Sequence, residues 1–199
     1  SDVYKRQTPH EVPEPRDLRF GALTSMNVAT GYTAAAITHE SAVGLPHSPV
    51  PHSRAAHLAQ SLRLPGRSSH VYAYGTRWLL DAAISREGVE SALENARHTG
   101  CFDDAHTLVC MPDIKDIRSI LTLLDRDRTI LATTHEDHLF FDNYPDDWEV
   151  MPLTEALPAI QRRSREVIAL GTMSFAAEMA AYLGLDTETW IDPWAQAQK

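Results

Sequence analysis

Val167-Ile-Ala-Leu-Gly171, running straight into Thr172-Met-Ser174 and a helical face of Phe175, Met179, Tyr182 and Leu183 closed by Gly184, decides the fold. A short apolar run ending at a glycine has the length and character of a strand buried on both faces. A hydroxyl residue ahead of helical periodicity marks a helix start, and the glycine after it a helix stop. Three more apolar runs repeat the pattern: His70-Val-Tyr-Ala-Tyr-Gly75, Thr107-Leu-Val-Cys-Met111 and Thr129-Ile-Leu-Ala-Thr133. Each ends at a small, hydroxyl-bearing or charged residue, and a helix-like segment soon follows. The sequence therefore predicts an α/β fold: a parallel or mixed Rossmann-like sheet of about four to six strands flanked by helices, with a less regular N-terminal segment. The runs opening at 70, 107, 129 and 167 are expected side by side and pointing the same way. Ligands would then bind at the rim formed by their trailing loops.

The 199 residues, 43% of them apolar, suffice for one good core, or a core with a smaller appendage. No window approaches the ~18 uninterrupted apolar residues that cross a bilayer, so no membrane contact is expected. The net charge of −9, with 27 acidic against 18 basic residues, argues against a nucleic-acid partner. Arg162, Arg163 and Arg165 form the one dense basic group and read as a solvated helix end. Cys101 and Cys110 lack the spacing of a metal knuckle or redox pair, and Cys110 lies in an apolar run as a small buried hydrophobe. With no export signal, a reducing cytoplasm is the expected setting.

Residues 1–7 read as translated sequencing read-through, and 1–17, with Pro9, Pro13 and Pro15, as an extended arm. The chain is thus expected to be N-terminally truncated. Residues 18–66 form a strand–helix segment: Leu18, Phe20, Ala22, Met26 and Val28 alternate as a half-buried strand does. A stiff connector with Pro46, Pro49 and Pro51 follows, carrying His47 and His52, before a helical face of Ala55, Leu58, Ala59 and Leu62. Residues 67–199 are expected to be the α/β domain. Within it, Thr76 is predicted to cap a long helix through Trp78, Ala82, Val89, Leu93 and Ala96, ending at Gly100. Asp113 is predicted to cap a helix through Ile114, Ile117, Leu121 and Leu124. Short strands are expected over 139–141 and 148–153, then a helix capped by Thr154 with Pro158 near its first turn. Trp190 and Trp194 suggest a packed tail.

Three groups of residues carry the expected chemistry. Gly171, Thr172 and Ser174 join a buried strand to a helix start, where unpaired amides and two hydroxyls suit a phosphate or carboxylate. The same residues also fit a simple helix cap, and no Gly-x-Gly-x-x-Gly or Walker loop is present. Gly75, Thr76 and Arg77 repeat the logic, with Arg77 able to grip an oxyanion bidentately or to serve as a surface arginine. Asp113 and Thr134 complete the ligand-binding set, and His135 is the expected catalytic proton-transfer group. Thr133-Thr-His-Glu-Asp-His138 resembles in part the Thr-His-x-His-x-Asp-His motif of metallo-β-lactamase-like hydrolases, but lacks its middle histidine and a following Gly-Gly. That resemblance implies a zinc-dependent hydrolase around His135 and His138; a polar strand end with exposed histidines is the plainer reading. The remaining histidines, among them His39 and His57, match no ligand pattern, so no metal site is assigned and no cofactor is named.

The leading expectation is an α/β protein binding a small anionic or nucleotide-like ligand at its strand tips. The competing one is a non-catalytic interaction or regulatory module, the C-terminal part of a larger protein or a homodimer. A ligand site predicts that Arg77, His135 and Thr172 converge; an interaction module predicts them dispersed beside an exposed apolar patch.

Overall fold

The computed structural model describes residues 66–98, 102–135 and 139–185. The chain divides into two units, 1–62 and 63–199, and every described residue belongs to the second. The readings made above for the arm, the 18–65 segment, Gly100, Cys101, His138 and the tryptophan tail lie outside the described residues.

Six strands form one mixed sheet in the order β1-β2-β6-β3-β4-β5. They are β1 (Ser69–Ala73), β2 (Thr76–Asp81), β3 (His106–Cys110), β4 (Thr129–Thr133), β5 (Glu149–Pro152) and β6 (Glu166–Gly171). β2, β6, β3, β4 and β5 are mutually parallel, and β1 runs antiparallel to β2 at the edge. Among the described residues, three α-helices lie between strands, α1 (Arg86–His98), α2 (Ile117–Leu121) and α3 (Leu153–Arg163), and α4 (Met173–Tyr182) follows β6. The predicted class, a mixed sheet flanked by helices, is the observed one.

Both faces of the sheet are covered, which is why the central strands are continuously apolar. On one face Trp78, Leu80, Leu108, Ile130, Val167 and Ala169 pack under α3 and α4 through Leu157, Ile160, Phe175 and Met179. On the other, Leu79, Val109, Leu131, Ile168 and Leu170 pack under α1 and α2 through Val89, Ala92, Ile117 and Ile120. Cys110 is buried and outside any disulfide.

Three of the four apolar runs (β6, β3 and β4) are parallel neighbours, as expected. The run at 70 is not. Tyr74 and Gly75 both have positive φ (51° and 73°), so the chain reverses there and Thr76 opens β2 instead of capping a helix. Two successive left-handed residues are what a two-residue hairpin turn requires. Trp78, read as a helix-face residue, is a fully buried strand residue, and the helix begins at Arg86.

Other boundaries also moved. Helix α2 is a five-residue piece capped by Asp116, whose side chain accepts from the Ser119 amide. Asp113 does not cap it, and Ile114 points out. The 139–141 segment is not a strand, whereas β5 occupies most of the predicted 148–153 strand. Helix α3 starts at Leu153 behind Pro152, so Thr154 is inside it and Pro158 falls beyond its first turn. That proline leaves the Thr154 carbonyl without its helical donor, a cost borne by the apolar face of Ala156, Leu157 and Ile160.

Candidate functional site at the carboxyl end of the sheet

Strand polarity sorts the expected site residues into two groups. Asp113, Thr134, His135, Gly171, Thr172 and Ser174 follow the carboxyl ends of β3, β4 and β6. Gly75, Thr76 and Arg77 lie at the other end, because β1 is antiparallel and its turn opens onto the amino end of β2. Five to six residues of strand separate the two ends, roughly 15–20 Å. Arg77 there pairs with Glu166 at 3.4 Å, and its amide donates to the Arg165 carbonyl. Arg77 is thus a surface arginine remote from the rim, and the expected convergence of Arg77 with His135 and Thr172 does not occur.

At the carboxyl end the strand order makes a switch in loop direction. The loop leaving β6 turns toward the α3/α4 face, while the loops leaving β2 and β3, on either side, turn toward the α1/α2 face. Neighbouring loops parting in opposite directions open a cleft beyond the strand ends, where open α/β sheets take their ligands. Gly171 stands in the middle of it. A Cβ there would lie 2.5 Å from the Cys110 carbonyl oxygen and collide with the Phe175 ring, so close packing of β6, β3 and α4 demands glycine. Thr172 caps α4, its Oγ1 accepting from the Phe175 amide at 3.1 Å and lying 2.9 Å from the Ser174 hydroxyl. The plainer reading of Thr172 is therefore met. The first amides of the ten-residue α4 remain above Gly171, with Ser174 exposed beside them.

The residue that sequence reading missed is Asp81. It ends β2 opposite Leu170 of β6 and is 8% exposed. Its carboxylate accepts from the Ser68 amide at 2.9 Å and the Ser68 hydroxyl at 3.1 Å, with Arg67 at 3.5 Å. Burial pushes the Asp81 carboxyl above its ordinary value; the Ser68 hydrogen bonds and the Arg67 charge pull the other way. Arg67 also donates to the Ala82 carbonyl at 2.9 Å, so a half-exposed guanidinium stands at this rim. The signal was Leu79-Leu80-Asp81, a carboxylate closing an apolar run. It was hidden because that run was read as helix.

Asp113 works as a strap. Its two carboxylate oxygens accept from the Asp142 and Asn143 amides at 2.8 and 3.0 Å, and its own amide donates to the Phe140 carbonyl. The loops after β3 and β4 are thereby held together. Tyr144 reinforces them: its buried hydroxyl accepts from the Met111 amide at 3.0 Å and donates to the Ala132 carbonyl at 3.2 Å. Burial pushes that phenol well above the usual tyrosine range. Thr134 is half-buried with its Oγ1 unpartnered, and His135 is exposed. They stand two strand spacings from Gly171, about 10 Å. No three metal-ligating side chains cluster among the described residues.

The same rim is apolar. Ile84, Ile114, Phe140 and Met173, at 36, 80, 63 and 54% exposure, follow β2, β3, β4 and β6 in turn. Four large exposed apolar side chains over four adjacent strand ends are more than scattered surface residues.

Strand order and polarity make this an open mixed α/β sheet with helices on both faces. Solved structures narrow the likeness to folylpolyglutamate synthases. The Mycobacterium tuberculosis enzyme complexed with ADP matches with a TM-score of 0.57 at 16% identity, over 79% of this chain and 40% of that one. The bifunctional folylpolyglutamate synthase/dihydrofolate synthase from Yersinia pestis, complexed with AMPPNP and Mn ion, matches at 0.55 and 19%, over 79% and 39%. The Thermotoga maritima synthase matches at 0.53 and 19%, over 81% and 38%. At these identities the likeness shows the fold, and the chain spans about two fifths of the length of the synthases it matches. No protein-family model and no curated protein matches.

Proposed function

We propose that this chain is an α/β domain of a larger nucleotide-using protein, working in the cytoplasm, and that its carboxyl rim forms one wall of a site for a small anionic or nucleotide-like ligand. The observation that carries the reading is the switch in loop direction at Gly171, which sets the start of α4 with Ser174 next to the end of β2, where Asp81 holds Arg67. The α4 amides and Arg67 would meet an oxyanion. The Ser174 hydroxyl would meet a ligand hydroxyl group, while buried Asp81 holds Arg67 in place. Synthases of this fold have been solved with ADP and with AMPPNP and Mn ion, which supports an adenine nucleotide as the first ligand to try. The chain lacks a Walker loop, so a second wall is needed to hold a triphosphate tightly. His135 remains the proton-transfer group of this proposal, within reach of a ligand that spans from β6 to β4.

The exposed Ile84, Ile114, Phe140 and Met173, together with the dispersal of Arg77 from His135 and Thr172, favour a second reading, an interaction module whose rim docks on another domain without chemistry. Titrating the chain with ADP, with and without Mn, while following backbone amide resonances separates the two. Shifts at 82–85, 112–114 and 171–175 support ligand binding. An absence of shifts at millimolar ADP leaves docking as the better account.

A further inference from the structure

Polar atoms at the amino end of the sheet, away from the rim, remain without partners. The Thr76 hydroxyl, the Trp78 indole N–H, the Gln161 side-chain amide nitrogen and, at the start of β3, His106 Nδ1 are buried and unpartnered. Thr76 and Trp78 are two apart on β2 and so face the same way, toward α3 and α4. Trp78 is fully buried in the core that also holds Ile160, next to Gln161, and Leu183, next to Tyr182. The Tyr182 hydroxyl donates to Gln161 Oε1 at 2.8 Å, and the Tyr74 hydroxyl donates to the Tyr182 carbonyl at 3.3 Å. The Tyr74 and Tyr182 rings meet edge-on at 5.9 Å. These contacts bring the last turns of α3 and α4 and the β1–β2 turn together over one spot.

From this arrangement we infer that the amino end of the sheet contains an internal site for a small oxygen acceptor, lined by Thr76, Trp78 and Gln161 and closed by Tyr182. The lining defines the chemistry. An indole N–H only donates, the free face of the Gln161 amide donates, and a hydroxyl can do either, so the occupant must offer lone pairs. A buried donor without a partner is costly, so these three donors together favour an occupied site. Water and a carboxylate the size of acetate share that chemistry. The site stands apart from the carboxyl rim, so either proposal can fail without the other.

The test is the indole resonance of Trp78 in the full 15N-labelled chain, assigned by loss of its peak in Trp78→Phe. In carboxylate-free buffer, a cross-peak between that indole proton and water identifies water as the occupant. An acetate-dependent shift of the same peak, absent from the other indoles, identifies a carboxylate. Either signal should weaken several-fold in Gln161→Met, which removes the facing donor. Tyr182→Phe, which unlatches Gln161 at the surface and leaves the core intact, should weaken it as well. A Trp78 indole that meets neither water nor acetate overturns the inference, as does a signal unchanged in both variants.

Discussion

Gly171 shows how little tolerance the carboxyl end has at the level of one residue. A methyl group there meets the Cys110 carbonyl oxygen and the Phe175 ring, and neither can retreat, one being backbone and the other core. Gly171→Ala is expected to destabilise the chain by about 1–3 kcal/mol, read as a lower denaturation midpoint at constant slope. Thr172→Ala should cost about 1 kcal/mol through the lost cap, whereas Thr172→Ser should cost much less. Asp81 makes a prediction of pH dependence. Burial raises its carboxyl above 3.8 in the folded chain, so the folded state holds that proton more tightly than the unfolded state does. Its contribution to stability is therefore greatest in acid and declines as pH rises through the interval between the two values. The stability of the parent relative to Asp81→Asn should fall from about pH 3 toward neutrality in denaturant titrations. A relative stability that rises over that range would mean that Ser68 and Arg67 outweigh the burial.

Among elements, the strands whose burial is two-sided were legible and those set by tertiary context were not. β3, β4 and β6 are apolar throughout because helices cover both faces, and that pattern survives in the sequence. β2 has the same burial, but Thr76-Arg-Trp-Leu-Leu-Asp81 also satisfies a helix start, and only the left-handed Tyr74–Gly75 pair turns it into a hairpin. A tyrosine seldom adopts positive φ, so the turn had no conspicuous signature. Asp113 was misread for a related reason: an aspartate before an apolar period signals a cap, yet here it ties two loops. The strap predicts behaviour at this scale. Tyr144→Phe removes a hydroxyl that serves both the Met111 amide and the Ala132 carbonyl, leaving two buried backbone groups unpaired. We expect a loss of about 1–3 kcal/mol, with faster amide exchange at the ends of β3 and β4. Unchanged exchange at Met111 would show that the hydroxyl does not hold these ends.

For the molecule as a whole, the order β1-β2-β6-β3-β4-β5 matters more than any residue, because it decides which loops share an end. The sequence carried the fold class and most of the rim, including Gly171, Thr172 and Thr134. It could not carry strand direction for the first run, and with it went the placement of Gly75, Thr76 and Arg77. The apolar side chains at the rim, spread over four separate loops, have no sequence pattern at all; only the sheet gathers them.

The central claim is that ligand chemistry belongs to the carboxyl end around Gly171 and not to the Arg77 end. Amide resonance mapping of the 15N-labelled chain with ADP tests it most directly. The account predicts shifts clustered at 82–85, 112–114 and 171–175, reduced several-fold by Ser174→Ala together with Arg67→Ala and untouched by Arg77→Ala. Shifts that instead gather at 75–77 and vanish in Arg77→Ala would contradict it.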